Sequence, residues 1–153
     1  FQRYLTRGAL YHSLVLDTLT KHRIPEELYF LAMIESGYVA HARSRQRAVG
    51  IWQFIRPTAR RFGLHMSRYV DERRDPVRAT EAAAMYLKYL HKMFGSWHLA
   101  MAAYNAGEGR IQGAIRRGKT SDFWTLAKNR VLPKETMQYV PKFLAAVIIR
   151  KKP

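Results

Sequence analysis

The chain has 153 residues, 48% of them hydrophobic, which suits one domain around a single apolar core and excludes a disordered chain. It has no cysteine, so disulfides, thiolate nucleophiles and Cys-ligated zinc are excluded, and no unbroken apolar run of about 18 residues, so a membrane span is not expected. The formal net charge of +16 favours an anionic target, for which nucleic acid, anionic lipid and anionic cell wall all qualify.

In chain order, Phe1-Gln2-Arg3-Tyr4 lacks the charged-then-apolar pattern of a signal peptide, as an excised or processed domain would. Leu10, Leu14, Leu16 and Leu19 predict one amphipathic helix ending near His22-Arg23. Pro25-Glu26-Glu27 opens the next, with Pro at the first position and acids at the positive end of the dipole. That helix runs through Leu28, Leu31, Ala32 and Ile34 to Gly37, a left-handed terminator. Residues 38–50 read as an irregular basic loop, and Pro57 to Gly63 as a short helix.

Asp75-Pro76 is an N-cap with Pro at N1, starting a long helix along Ala79, Ala82, Ala83, Tyr86, Leu87 and Leu90 to Phe94-Gly95. Ser96 caps a helix that carries Leu99, Ala102 and Ala103 and breaks at Asn105-Ala106-Gly107. Gly109–Ile115 is a further short helix closed by Gly118, and Pro133–Ile149 a last one that Pro141 should bend or divide. No segment alternates with period 2. Seven or eight helices with short connectors describe an all-α domain over residues 1–153, with no internal repeat or low-complexity tract.

The chemistry concentrates between Glu27 and Leu64. Glu35 ends an apolar run and meets Ser36-Gly37, so desolvation should raise its pKa toward working pH and suit it to donate a proton. Glycosidases ordinarily use two carboxylates, and Glu27, the nearest acid in sequence, lies eight helical residues or about 12 Å from Glu35 along the axis. A lone acid needs help from the substrate, which an N-acetyl carbonyl or a sugar hydroxyl supplies. The six histidines contain no HExxH or other close ligand pair, so neither a metal nor a cofactor is expected.

Three ordered motifs complete the picture. Glu35-Ser36-Gly37-Tyr38 with Ala42-x-Ser44 and Gly50-x-Trp52-Gln53-Phe54 resembles the first signature of the lytic transglycosylases with a soluble-transglycosylase-type, lysozyme-like domain. Ala102-Ala103-Tyr104-Asn105-Ala106-Gly107-Glu108-Gly109 is similar to their second, and Glu135-Thr136-x-x-Tyr139-Val140-x-Lys142 to their third. Asp71-x-Arg73-Arg74-Asp75-Pro76 and the Ala-rich helix after it are closest to the membrane-bound murein transglycosylase D branch. The resemblance covers about residues 24–150. One departure is Ile55, where family members often carry Met.

The resemblance implies a lysozyme-like catalytic domain, shared in architecture with goose-type lysozymes, acting on peptidoglycan strands in the periplasm or cell envelope. It implies cleavage of the β-1,4 bond between N-acetylmuramic acid and N-acetylglucosamine, with formation of a 1,6-anhydro end. Glu35 matches the catalytic acid and base; Ser44, Gln53, Tyr86, Tyr104, Asn105 and Tyr139 match residues that line the groove or orient the acid, and Glu135 one near the peptide side.

Other readings stand beside these. Ser44 could hold its loop, Gln53 could be a satisfied core amide, and Tyr86 lies on an apolar face where core packing competes. Tyr104 and Asn105 could serve packing and helix termination. The arginine clusters read most simply as a solvated basic surface able to meet anionic polymers or lipids, the last of them Arg150/Lys151/Lys152. A lysozyme-type hydrolase on the same fold is the main alternative function. A basic nucleic-acid-binding domain has the charge but no accompanying motif.

Overall fold

The computed structural model describes residues 1–151, so Lys152 of the last basic cluster lies outside the described residues. The described residues form nine α-helices and two 3-10 turns, with three isolated β-bridges and no strand. The helices are α1 (Gln2–Ala9), α2 (His12–Lys21), α3 (Tyr29–Ser36), α4 (Arg56–Arg61), α5 (Pro76–Phe94), α6 (Trp97–Ala106), α7 (Glu108–Gly118), α8 (Phe123–Lys128) and α9 (Lys134–Lys151). Chain contacts divide into two compact units, Phe1–Tyr86 and a second from Leu87 onward. No described helix is long and apolar enough to cross a membrane.

The helix expected from the leucines is α2, which ends at Lys21 as predicted but starts after Leu10, and α1 precedes it over residues that carried no helix expectation. Leu10 sits in the turn between them, 79% exposed, while Val15 and Leu19 are fully buried. Leucine spacing alone cannot tell a core leucine from one at a turn. A Cβ at Gly8 would overlap the Tyr29 hydroxyl, so only glycine lets α1 approach the aromatic group of Tyr29 and Tyr38, whose rings stack 4.9 Å apart. Pro25 precedes a 3-10 turn over Glu26–Leu28 that leads into α3. Leu28 to Met33 are buried without exception, so α3 is apolar all round until its last turn.

Residues 38–54 are irregular but tightly bonded. Val49 and Phe54 exchange both backbone hydrogen bonds, at 3.0 and 3.1 Å, and the Gly50 amide donates to the Ala42 carbonyl at 2.9 Å. Trp52, fully buried, donates its indole N–H to the Thr80 hydroxyl of α5 at 2.9 Å.

Arg73 departs from the solvated arginine surface. It is only 4% exposed, and its guanidinium is consumed by four interactions. Nε and Nη2 take the Asp71 carboxylate at 2.9 and 2.7 Å, while Nη1 donates to the Arg47 and Phe54 carbonyls at 3.2 and 3.1 Å. Gly50, at φ +89°, fits beneath, and a Cβ there would overlap the Arg73 carbonyl oxygen. Asp75 behaves as expected, accepting from the Val77 and Arg78 amides at the start of α5.

In the second unit α6 is the central element, with Leu99 to Ala103 all buried and α7 and α9 packed against it. The Ser96 hydroxyl caps it by accepting from the Leu99 amide at 3.3 Å. The short α8, capped by Asp122, had no counterpart in the sequence reading. Pro141 does not divide α9, which runs continuously through it. Its ring costs one hydrogen bond, and the buried Thr136, Tyr139, Val140 and Phe143 on either side hold the helix together.

The buried guanidinium yields a stability prediction. Arg73→Met leaves Asp71 and two carbonyls without their donor and should cost about 3–5 kcal/mol, read as a fall in denaturant midpoint. The Arg73 hydrogen bond holds the Asp71 carboxyl below its ordinary 3.8, against burial that pushes it up. This stabilisation is present above pH 3.8 and is lost as pH falls through the lowered value. Wild type should therefore lose stability more steeply below about pH 4 than Asp71→Asn, and parallel acid titrations of the two would contradict the assignment.

Candidate active site

Glu35 is the penultimate residue of α3, partly exposed with Ile34 and Ser36 after the buried run Tyr29 to Met33. The residues on its C-terminal side are fixed. Ser36 Oγ donates to the Ile51 carbonyl at 2.8 Å, tying the helix end to the 38–54 loop. Gly37 closes the helix at φ +61°, and its carbonyl accepts from Arg7 Nε at 2.8 Å. A side chain at Gly37 would collide with the Tyr4 ring, so α1 covers this helix end closely. The next residue, Tyr38, is also left-handed, and its hydroxyl donates to the Tyr29 carbonyl.

Ser44 and Gln53 lie in the same loop. Ser44 organises a tight turn, its amide donating to the Ala48 carbonyl at 2.9 Å and its Oγ accepting from the Ala48 amide at 3.1 Å. Gln53 sits at φ +53°, and its Nε2 donates to the Gly50 and Ala42 carbonyls at 2.8 and 3.2 Å. Both side chains thus hold the loop, and both remain partly exposed, so Gln53 is a satisfied amide but not a core one. Tyr86 is 7% exposed, with its ring centroid 5.0 Å from that of Phe62 and 6.4 Å from that of Phe54.

The second unit gathers a separate set. Asn105, near the end of α6, donates from Nδ2 to Glu135 Oε1 at 3.2 Å and accepts at Oδ1 from the Thr136 hydroxyl at 2.9 Å. One amide thereby joins the C-terminal end of α6 to the first turn of α9. Tyr104 precedes it, partly exposed, and Tyr139 follows one turn along α9, 7% exposed. The structure therefore groups the predicted residues as Ser44 with Gln53 beside the α3 terminus, and Asn105 with Glu135.

Four supporting residues had no assigned role in the sequence reading: Arg7, Ser36, Arg73 and Thr136. Ser36 and Thr136 stood inside motifs, and their neighbours drew the attention. Arg73 had one local signal, the acid two positions before it, whereas nothing near Arg7 marks a partner thirty residues away. Among the described residues, no three His, Asp or Glu side chains gather in a way that could hold a metal ion.

An all-helical domain presenting one such acid has recognisable relatives. The chain belongs to the transglycosylase SLT domain family, whose model matches residues 17–127. It is 43% identical, over 98% of its length, to membrane-bound lytic murein transglycosylase D of Escherichia coli. Among solved structures it is similar to the 70 kDa soluble lytic transglycosylase of Escherichia coli, with TM-score 0.77 and 25% identity over 88% of this chain. It is likewise similar to lytic transglycosylase Slt of Pseudomonas aeruginosa, solved as an inactive glutamate-to-glutamine mutant, with TM-score 0.74 and 26% identity over 90% of this chain. The chain spans 36% of the first relative's length and 23% of each of the two solved chains. The fold is the lysozyme-like one expected from the motifs.

The α6–α9 link is testable. Asn105→Ala should lower stability by about 1–2 kcal/mol, because it removes two hydrogen bonds and leaves the buried Thr136 hydroxyl unmatched. A double-mutant cycle with Thr136→Val, read by thermal unfolding, should give a coupling of at least about 0.5 kcal/mol, whereas strict additivity would deny the bond.

Proposed function

We propose that this chain is a peptidoglycan lytic transglycosylase that cuts the β-1,4 bond between N-acetylmuramic acid and N-acetylglucosamine with Glu35 as its one catalytic acid. The observation that carries the reading is the setting of Glu35: a partly exposed carboxyl at the end of a buried helix, whose terminus Ser36 and Gly37 fasten to separate segments. A proton donor fixed in this way meets the positional demand of general acid catalysis. Family membership and the names of the relatives support the same chemistry.

In the reaction the Glu35 carboxyl gives its proton to the glycosidic oxygen, and the bond from that oxygen to the muramyl anomeric carbon breaks. The N-acetyl carbonyl shields the developing positive charge at that carbon. The Glu35 carboxylate then removes the proton from the muramyl 6-hydroxyl as its oxygen bonds to the anomeric carbon. The acid is regenerated and no water is consumed. Ser44 and Gln53 support the groove by fixing the loop beside α3, and the Gln53 carbonyl oxygen remains available to a sugar hydroxyl or amide. Tyr104, partly exposed, is the aromatic suited to meet a sugar ring, while the buried Tyr139 supports the site through its packing. Tyr86 supports the groove through its packing on Phe54 and Phe62, and Asn105 holds the Glu135 carboxylate at the start of α9.

On this reading residues 1–153 act as one catalytic domain in the periplasm or cell envelope, where peptidoglycan lies. Purified sacculi should yield muropeptides with 1,6-anhydro ends by mass spectrometry. Glu35→Gln should reduce the rate by about 10³-fold or more while leaving the unfolding midpoint nearly unchanged. Products with only reducing ends would reject the transglycosylase step in favour of hydrolysis, and a fully active Glu35→Gln would reject the acid.

A further inference from the structure

One feature of the first unit has no part in the chemistry above. A cleft of about 600 Å³ opens between the 43–56 and 67–74 segments, and its wall carries Arg43, Arg47, Arg56, Arg68 and Arg74 besides the buried Arg73. Its one acid is Asp71, whose charge Arg73 already neutralises in a two-pronged pair. Among the described residues no carboxylate lies within ion-pair distance of the other five arginines. The nearby acids Glu72 and Asp75 are engaged elsewhere, both with Arg78, with Glu72 also accepting from the His65 amide. Five uncompensated cations around a concave surface repel one another and sum to a strong positive potential, an arrangement that an incoming anion relieves.

We propose that this cleft is a carboxylate-binding subsite that reads the stem peptide carried by the glycan strand. The proposal rests on the transglycosylase reading and deepens it. Guanidinium groups match carboxylates through paired N–H···O bonds, and the Asp71–Arg73 pair shows that geometry in the cleft wall. The volume is ample for several peptide residues. At the rim Tyr69 is 87% exposed, with the Arg68 guanidinium 5.8 Å from its ring centre, and Val70 is half exposed. Together they provide apolar contact for peptide methyl groups beside the charges.

Chain continuity selects peptidoglycan carboxylates over other anions. Arg43 directly precedes Ser44, and the Arg47 and Phe54 carbonyls held by Arg73 lie on either side of the turn that contains Gln53. The cleft is thus built from the same loop as the candidate groove residues, so one polymer can engage both, with sugars at the groove and peptide carboxylates at the arginines.

The test pairs binding with kinetics. Arg68→Gln/Arg74→Gln removes two exposed cations from the loop segment that carries neither Ser44 nor Gln53. Wild type should show a KM about tenfold lower on peptide-bearing strands than on strands stripped by an amidase. The double variant should lose that difference, keep kcat, and match wild type on stripped strands; Arg68→Lys/Arg74→Lys should recover part of it. Calorimetry should detect the free stem tetrapeptide but not its fully amidated form, with binding lost in the glutamine variant. An unchanged KM ratio in that variant, no ratio in wild type, or inorganic phosphate binding as tightly as the tetrapeptide would each overturn the proposal. Tetrapeptide binding that vanishes in the variant, with no anhydro product from any strand, would uphold the subsite and reject the transglycosylase reading instead.

Discussion

The first unit depends on the guanidinium of Arg73. A cation buried to that degree would cost several kcal/mol if left alone, yet four of its five N–H groups meet an oxygen: two on Asp71, one on Arg47 and one on Phe54. The net gain in stability from such a cluster is small once desolvation is counted, and its main effect is selective. A path that withdrew the Arg47 or Phe54 carbonyl would leave the buried charge short of a partner. A loop rich in left-handed and polar positions is thereby confined to one conformation, with Gly50 the single residue type that fits beneath the Arg73 carbonyl.

From that confinement follows the placement of the acid. Ser36 bonds to the Ile51 carbonyl within the clamped loop, so the end of α3 inherits the loop's rigidity. Arg7 adds a second restraint through the Gly37 carbonyl. Glu35 itself lies on a short helix, and the precision of its position comes from these two bonds rather than from the intrinsic stability of eight helical residues. Asn105 repeats the principle in the second unit, where one side-chain amide registers α6 against α9.

Much of this was legible in the sequence because it is local. Pro76 after Asp75, Gly37 after an apolar run and Ser96 before Leu99 each announce a helix end by backbone chemistry that operates within four residues, and all three ends lie where expected. The all-α class follows from the same periodicity. What failed was equally physical. The leucine spacing across residues 10–19 marked α2 but said nothing of α1, whose approach to Tyr29 rests on the small size of Gly8. Arg73 looked like any member of a basic cluster, because its burial depends on carbonyls nineteen and twenty-six residues away. Ser44 and Gln53 stand out in the sequence as motif positions, whereas the loop bonds they make become visible only in the folded chain.

Native-state hydrogen exchange of the Val49, Gly50 and Phe54 amides tests the central claim most directly. If the arginine clamp makes this loop part of the folded core, those amides should exchange only through the opening that also exposes α3, with protection comparable to that of Leu31 and Ala32. Exchange at rates typical of a mobile surface loop, while α3 stays protected, would contradict it: the acid would then rest on a helix end with no rigid neighbour.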